Sequence, residues 1–176
     1  MLMAILSGVR GQVLHLLDVQ NMTIEADYVS FRISEPTKTS RPGRHMQELK
    51  FMAYPHMRSL CVVFYLKMYL KRTLNVRWTV KKLFLTYGRV GRAASRDTIR
   101  RWIRDVMEAA GIDLNIFNPH STRSASTSAA RSGVSLRTIL RTAGWFSASS
   151  YQRHYKKRIA KPCGFQATLM NRFNKK

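Results

Sequence analysis

Pro119-His120-Ser121-Thr122-Arg123-Ser124-Ala125-Ser126-Thr127-Ser128-Ala129-Ala130 decides how this chain is read. A proline and small hydroxyl residues open it, and the rest suits a short helix, predicted over Ser121 to Arg131. His120 and Arg123, spaced i, i+3, lie on one face of its first turn, beside backbone N–H groups that a helix start leaves unbonded. Such a pair can reach a single phosphate at a helix N-terminus. Alone, a His-x-x-Arg spacing is a weak signal; its surroundings must specify it.

Working outward, Gly133 and Gly144 punctuate two more predicted helices, Ser135 to Thr142 and Ser149 to Arg158. Ala143-Gly144-Trp145 lies between them, and Tyr151 and Tyr155 stand one helical turn apart in the last. Upstream, Ser95 is a good helix N-cap with Asp97 in the first turn. Ile99, Trp102, Ile103, Val106 and Ala110 follow helical spacing to Gly111. Met57 to Leu70 is helical by period, with Leu60, Val63 and Phe64 on one side. Val29, Phe31 and Ile33 alternate along a strand from Tyr28. Glu35 to Arg44 is turn material, and Met46 to Tyr54 pairs back as a hairpin arm. Lys82 to Thr86 fits either a short strand or a loop end. At the start, Met1 to Leu6 reads as a helix tail and Gly8 as its end, followed by a helix from Val9 to about Leu17 with Val13, Leu14, Leu16 and Leu17 inward. Because the first helix begins in mid-pattern without a capping residue, a longer parent protein is expected. The fold class is mainly α with a small antiparallel β-sheet (α+β), in one domain over residues 1–176.

Charge narrows the partner. The chain carries 31 Lys and Arg against 9 Asp and Glu, a net +22. Asp113 is the last acidic residue, so the final third is basic without relief. A surface that basic calls for a polyanion, and each neutralised phosphate releases counterions. Double-stranded DNA is the expected partner; a basic membrane-surface protein and an RNA- or ribosome-binding protein explain the charge alone. Cys61 and Cys163 have no metal-ligand spacing and are too few for a disulfide framework. Cys61 sits in an apolar run as a buried thiol. No stretch suits a signal sequence or a membrane span, so a reducing compartment, nucleus or cytoplasm, is expected.

Breaking a phosphodiester without a metal needs an in-line nucleophile, fixed cations on the non-bridging oxygens and a proton for the leaving oxygen. Arginine suits the second role through its planar, permanently charged fork. No carboxylate cluster suggests a two-metal site, and neither metal nor small-molecule cofactor is expected.

His120-x-x-Arg123, then Gly144-Trp145, then Tyr155 resembles the C-terminal signature of the tyrosine recombinase family, whose catalytic domain is similar to that of type IB topoisomerases. The string HSTRSASTSAA with its following GV, ILRTAGW and Y is most similar to recombinases of DIRS and Ngaro retrotransposons and Crypton elements. Leu6-Ser7-Gly8-Val9-Arg10 resembles the motif around the family's first catalytic arginine, and Lys38-Thr39-Ser40-Arg41-Pro42-Gly43 its lysine-bearing loop. The resemblance implies DNA cleavage and rejoining through a 3′-phosphotyrosine. In it Tyr155 is the nucleophile, Arg10 and Arg123 are the phosphate clamps, and Lys38 is the general acid. His120 hydrogen-bonds the phosphate and helps deprotonate the tyrosine, and Trp145 donates its indole N–H. Arg41, Arg131, Arg137, Arg141, Lys156 and Lys157 are the expected DNA contacts. It also implies a tetramer on DNA, with 166–173 as an exchanged segment, a missing N-terminal DNA-binding domain, and integration or recombination of a nuclear mobile element.

Each role has a plainer rival. Arg10 serves equally as a surface arginine, Lys50 competes with Lys38, and Trp145 fits a core aromatic. Tyr151 competes with Tyr155, although the spacing from Trp145 favours Tyr155. His15 and His154 read as packing or surface residues. Val13 stands where many members carry an acidic residue, with Gln12 as a substitute hydrogen bonder. A catalytically inactive DNA-binding remnant is the alternative to the enzyme.

Overall fold

The computed structural model describes residues 1–37, 40, 48–88, 91–130, 133–145 and 147–155, with Ser150, His154 and Tyr155 described by backbone alone. Seven helices, α1 (Leu2–Ser7), α2 (Gly11–His15), α3 (Val62–Arg77), α4 (Arg96–Ala109), α5 (Ser121–Ala130), α6 (Leu136–Thr142) and α7 (Ala148–Tyr155), accompany three strands among these residues. The strands β1 (Met22–Ile24), β2 (Tyr28–Arg32) and β3 (Glu48–Met52) form an antiparallel sheet in the order β1-β2-β3. This is the mainly helical α+β architecture read from the sequence.

Period-two patterning sets the sheet register. Val29 pairs with Phe51 and Phe31 with Leu49, and all four side chains are buried. On the opposite face Ser30, itself buried, pairs with Lys50, whose Nζ lies 3.6 Å from the Tyr28 ring centroid. Beneath the sheet, Val13, Leu14 and Leu17 from the α2 region, Val62, Val63 and Leu66 of α3, and Ile99, Ile103 and Met107 of α4 complete the main core.

Several boundaries differ from the sequence reading, each for a tertiary reason. β1 adds a strand, paired with β2 from Met22↔Phe31 to Ile24↔Val29. Leu60 lies in a 3₁₀ turn, exposed, so α3 buries Val62, Val63 and Leu66 instead. α3 continues to Arg77, whose guanidinium donates to the carbonyls of Lys82 at 2.6 Å and Leu83 at 2.9 Å, tying the helix end to the next segment. Residues 82–86 form no strand; two isolated bridges, Asp18↔Lys82 and Leu85↔Ala93, hold that segment. On α4 Val106 is exposed and Met107 takes its inward place. Ser95 caps α4, its hydroxyl accepting from the Thr98 N–H, and Cys61 is buried.

A second, smaller core lies between α6 and α7. Ile139, Ala143, Trp145 and Tyr151 form it, with Ala130 and Leu140 packed against them. α5 reaches it from the other side and also packs on α1. Composed of serine, threonine and alanine around one arginine, α5 has no large apolar side chain, so its neighbours approach its backbone closely.

Candidate functional site

Arg123 is the centre of this second region. It is 1% exposed, among the most buried side chains of the chain. Its Nη1 donates to the Gly8 carbonyl at 2.7 Å and the Ala143 carbonyl at 2.7 Å. Gly8 is the C-cap of α1 and Ala143 the C-cap of α6. Both acceptors therefore belong to helix ends, where carbonyls lack intrahelical partners and the dipole is negative. This accounts for a charge that would otherwise be costly to bury. The two bonds fix the guanidinium plane, and the Trp145 ring stacks under it with its centroid 4.0 Å from Cζ.

Two glycines make the geometry possible. Gly8 ends α1 with φ +59°, and a Cβ there would lie 3.2 Å from the Thr127 methyl and 3.3 Å from the Ser126 hydroxyl. Its lack of a side chain permits both the left-handed turn and the close approach of α5. Gly144 ends α6 with φ +66°. The Trp145 N–H then donates to the Leu140 carbonyl at 2.7 Å and the Gly144 N–H to Arg141 at 3.3 Å, the Schellman pair of bonds. That closure turns Trp145 inward, where it is 8% exposed and meets Tyr151 edge-on at 5.8 Å. Tyr151, 1% exposed, donates its hydroxyl to the Thr127 carbonyl at 3.3 Å.

Arg10 follows Gly8 by two residues, is half-buried, and holds the N-cap position of α2. Its Cζ lies 5.8 Å from the Trp145 ring centroid. His120 is at the surface, immediately before α5. Its backbone N–H donates to Asn118 Oδ1 at 2.9 Å, and its carbonyl accepts from the Arg123 N–H at 3.1 Å. Partial withdrawal of its ring from water, then the charges of Arg123 and Arg10, hold its pKa below the ordinary histidine value. His120 thus stands one helical turn before Arg123, whose guanidinium shares the Trp145 ring with Arg10. Segments separated by more than a hundred residues thus meet at the Trp145 ring: Arg10 from the α1–α2 junction, Arg123 from α5 and Trp145 from behind α6.

Tyr155 is the last residue of α7, one helical turn beyond Tyr151. Arg137 and Arg141 are exposed on α6, i and i+4 on one face. Lys38, Arg41, Arg131, Lys156, Lys157, Cys163 and the segment 166–173 lie outside the described residues. Lys50 is occupied against Tyr28 on the outer face of the sheet. His15 bonds the Ala94 carbonyl through Nδ1 at 3.0 Å, tying α2 to the start of α4. Sequence reasoning did not find that Arg123 is a buried strut between two helix ends. The only signal for it was a helix-ending glycine two positions before Arg10. No His, Cys, Asp or Glu cluster fit for a metal occurs among the described residues, and no helix among them is long and apolar enough to cross a membrane.

The sequence profile of the phage integrase family matches residues 1–160. A comparison with curated proteins finds no match. Among solved structures, the XerA recombinase superposes with a TM-score of 0.64 at 22% identity, over 98% of this chain and 54% of that one. The XerH site-specific recombinase bound to difH substrate gives 0.63 at 16% identity, over 96% and 44%. The Tn1549 transposon integrase in complex with circular intermediate DNA gives 0.54 at 12%, over 97% and 55%. The chain thus spans about half the length of the structures it resembles, and at these identities the likeness speaks for the fold.

Proposed function

The chain belongs to the phage integrase family, and we propose that residues 1–176 are a catalytic domain that cuts and rejoins double-stranded DNA through a 3′-phosphotyrosyl intermediate. The observation that supports this most is the meeting of Arg10 and Arg123 at the Trp145 ring, with His120 immediately before the helix that carries Arg123. In this reading the scissile phosphate sits against the two guanidiniums, which neutralise the charge growing on its non-bridging oxygens. The fixed orientation of Arg123 means little reorganisation is needed as that charge develops. Trp145 backs both arginines and donates its indole N–H.

Tyr155 attacks the phosphorus in line with the 5′ oxygen. The P–O bond to that oxygen breaks as the bond to the tyrosine oxygen forms, and Lys38 protonates the departing alkoxide. A neutral imidazole has an acceptor nitrogen, and a pKa held below the ordinary value keeps His120 in that form at neutral pH, suited to receive the tyrosine proton. Rejoining reverses these steps, and because the tyrosyl ester conserves the phosphodiester bond, no ATP is required. Arg41, Arg131, Arg137, Arg141, Lys156 and Lys157 contact the flanking DNA.

The solved relatives include recombinases held on DNA and a transposon integrase, which supports DNA as substrate and a mobile element as origin. The motif strings favour the DIRS, Ngaro and Crypton branch, hence nuclear integration or recombination by a tetramer assembled on DNA. The test is a nicked suicide duplex that traps the covalent intermediate. The wild-type chain is expected to migrate with labelled DNA on a denaturing gel, while Tyr155→Phe binds the duplex equally and forms no adduct. A folded wild-type protein that retards DNA without forming an adduct rejects catalysis and leaves a DNA-binding remnant.

A further inference from the structure

A tight turn follows α3. The Val80 N–H donates to the Arg77 carbonyl at 2.8 Å, and between them Trp78 takes φ +47° and ψ −119°. These are the angles of the first inner position of a type II′ turn, where glycine is the usual residue because a Cβ is crowded. Trp78 is the one non-glycine residue with a positive φ among the described residues. Core packing does not explain the choice of tryptophan, since the residue is 80% exposed. A strained backbone that holds a large aromatic ring in water is unfavourable on both counts, and such positions persist where the ring is used.

Neighbouring residues widen the apolar surface. Lys71, Leu74 and Trp78 succeed one another at i, i+3 and i+7 and are all exposed, Leu74 at 70%. Tyr87 belongs to the same end of α3. The Gly91 N–H donates to the Val76 carbonyl at 2.9 Å and the Thr86 N–H to the Arg92 carbonyl at 2.7 Å. These bonds fasten the residues flanking Tyr87 to the helix end, and Tyr87 itself is fully exposed.

Charge selects what covers this surface. Between Glu48 and Asp97 the sequence holds no acidic residue. Lys71, Lys81 and Arg92 are exposed, and the one ion pair among the described residues, Lys82 with Glu35, involves none of them. We propose that Leu74, Trp78 and Tyr87, with Lys71, Lys81 and Arg92, dock a partner protein through an acidic amphipathic helix. The apolar stripe of that helix covers Leu74 and the two rings, and its carboxylates meet the three cations. Tryptophan and tyrosine carry much of the binding energy where they are buried at interfaces, and complementary charge orients the encounter. A sugar-phosphate backbone has no apolar stripe to cover Leu74, which favours a protein over a nucleic acid here.

The test is fluorescence polarisation with the full chain and a labelled helical peptide. That peptide carries leucine at i, i+3, i+4 and i+7 and glutamate and alanine elsewhere. Saturable binding is expected, weakened by about tenfold or more in Trp78→Gly and in Leu74→Ser. Neither substitution changes the net charge, so the loss reads the apolar contact alone. Glycine suits the turn, so the Tm of Trp78→Gly is expected to rise, which separates lost binding from lost folding. A fall in that Tm would mean the ring serves packing and would overturn the proposal. A wild-type chain that does not bind the peptide also overturns it, as does equal binding of a peptide with serine in place of every leucine. Duplex DNA affinity that drops as far in Trp78→Gly assigns the surface to nucleic acid instead. Self-association of the wild type that Trp78→Gly abolishes in sedimentation assigns it to a second copy, and either result rejects the acidic partner.

Discussion

The two cores of this molecule are built on different principles. The larger one joins sheet, α2, α3 and α4 through hydrocarbon side chains such as Val29, Phe31, Leu66 and Ile103. The smaller one has, among the described residues, four buried apolar side chains, and next to it lie the buried polar groups of Arg123, Thr127 and Ser128. Non-directional burial supports the first; directional bonds to helix ends and carbonyls support the second. Directional bonds fix orientation, which the proposed phosphate site would need and a scaffold does not. In this chain one buried arginine holds the second region together through bonds to two helix ends.

That contrast can be broken most sharply at Trp145. Trp145→Ala removes the ring beneath both guanidiniums and is expected to cost about 3–5 kcal/mol. Hydrogen exchange should show the loss confined to α5, α6 and α7, with protection in α3 and α4 retained. Equal loss in both regions would mean the two cores are one cooperative unit. Arg123→Met comes next: it leaves the Gly8 and Ala143 carbonyls buried without their donor, at about 1–3 kcal/mol each. Its duplex affinity should fall as well, whereas a purely structural arginine would leave affinity per folded molecule unchanged.

Gly8→Ala tests the close approach of α5 and is expected to lower stability by about 1–2 kcal/mol through its left-handed φ alone, read as a fall in Tm. Tyr151→Phe deletes the bond to Thr127 for about 1 kcal/mol and should leave the covalent adduct intact. Tyr155→Phe is expected to do the reverse, and an adduct that vanishes in Tyr151→Phe but survives in Tyr155→Phe would exchange their roles. The smallest effect concerns His120. Its folded pKa lies below the unfolded value of about 6.5, so the unfolded chain binds the proton more readily and stability falls as pH drops below that value. Melting of the wild type between pH 7.5 and 5.5 should therefore decline more than that of His120→Gln; identical declines would remove His120 from the electrostatic cluster.

How much of this was legible depended on whether the cause was local. The β2–β3 hairpin announced itself because Val29, Phe31 and Ile33 alternate, and Ser95 announced α4 because a cap is a property of four consecutive residues. β1 was invisible: three residues are too few for a pattern, and only Val29 to Phe31 across the sheet define it. α3 outran its apolar stretch because Arg77 ties its end to carbonyls that follow it. The segments around Arg10, His120, Arg123 and Trp145 could be singled out from motif order. The burial of Arg123 could not, since an arginine in a basic chain reads as surface until the helix ends that receive it are known.

The bond from Arg123 to Gly8 joins residues 115 positions apart, and its partner bond reaches forward to Ala143. Closing a loop of that length carries an entropic cost of about 4 kcal/mol from its logarithmic term, recovered only once α6 is also in position. Contacts so distant in sequence slow folding, because loop closure precedes the gain from the contact. A chain still being synthesised can complete its sheet and α3 while this bond is unmade, so the buried arrangement of Arg123 forms only in a polypeptide that has emerged past Trp145. The strut thus ties the order of the second region to the completion of α6.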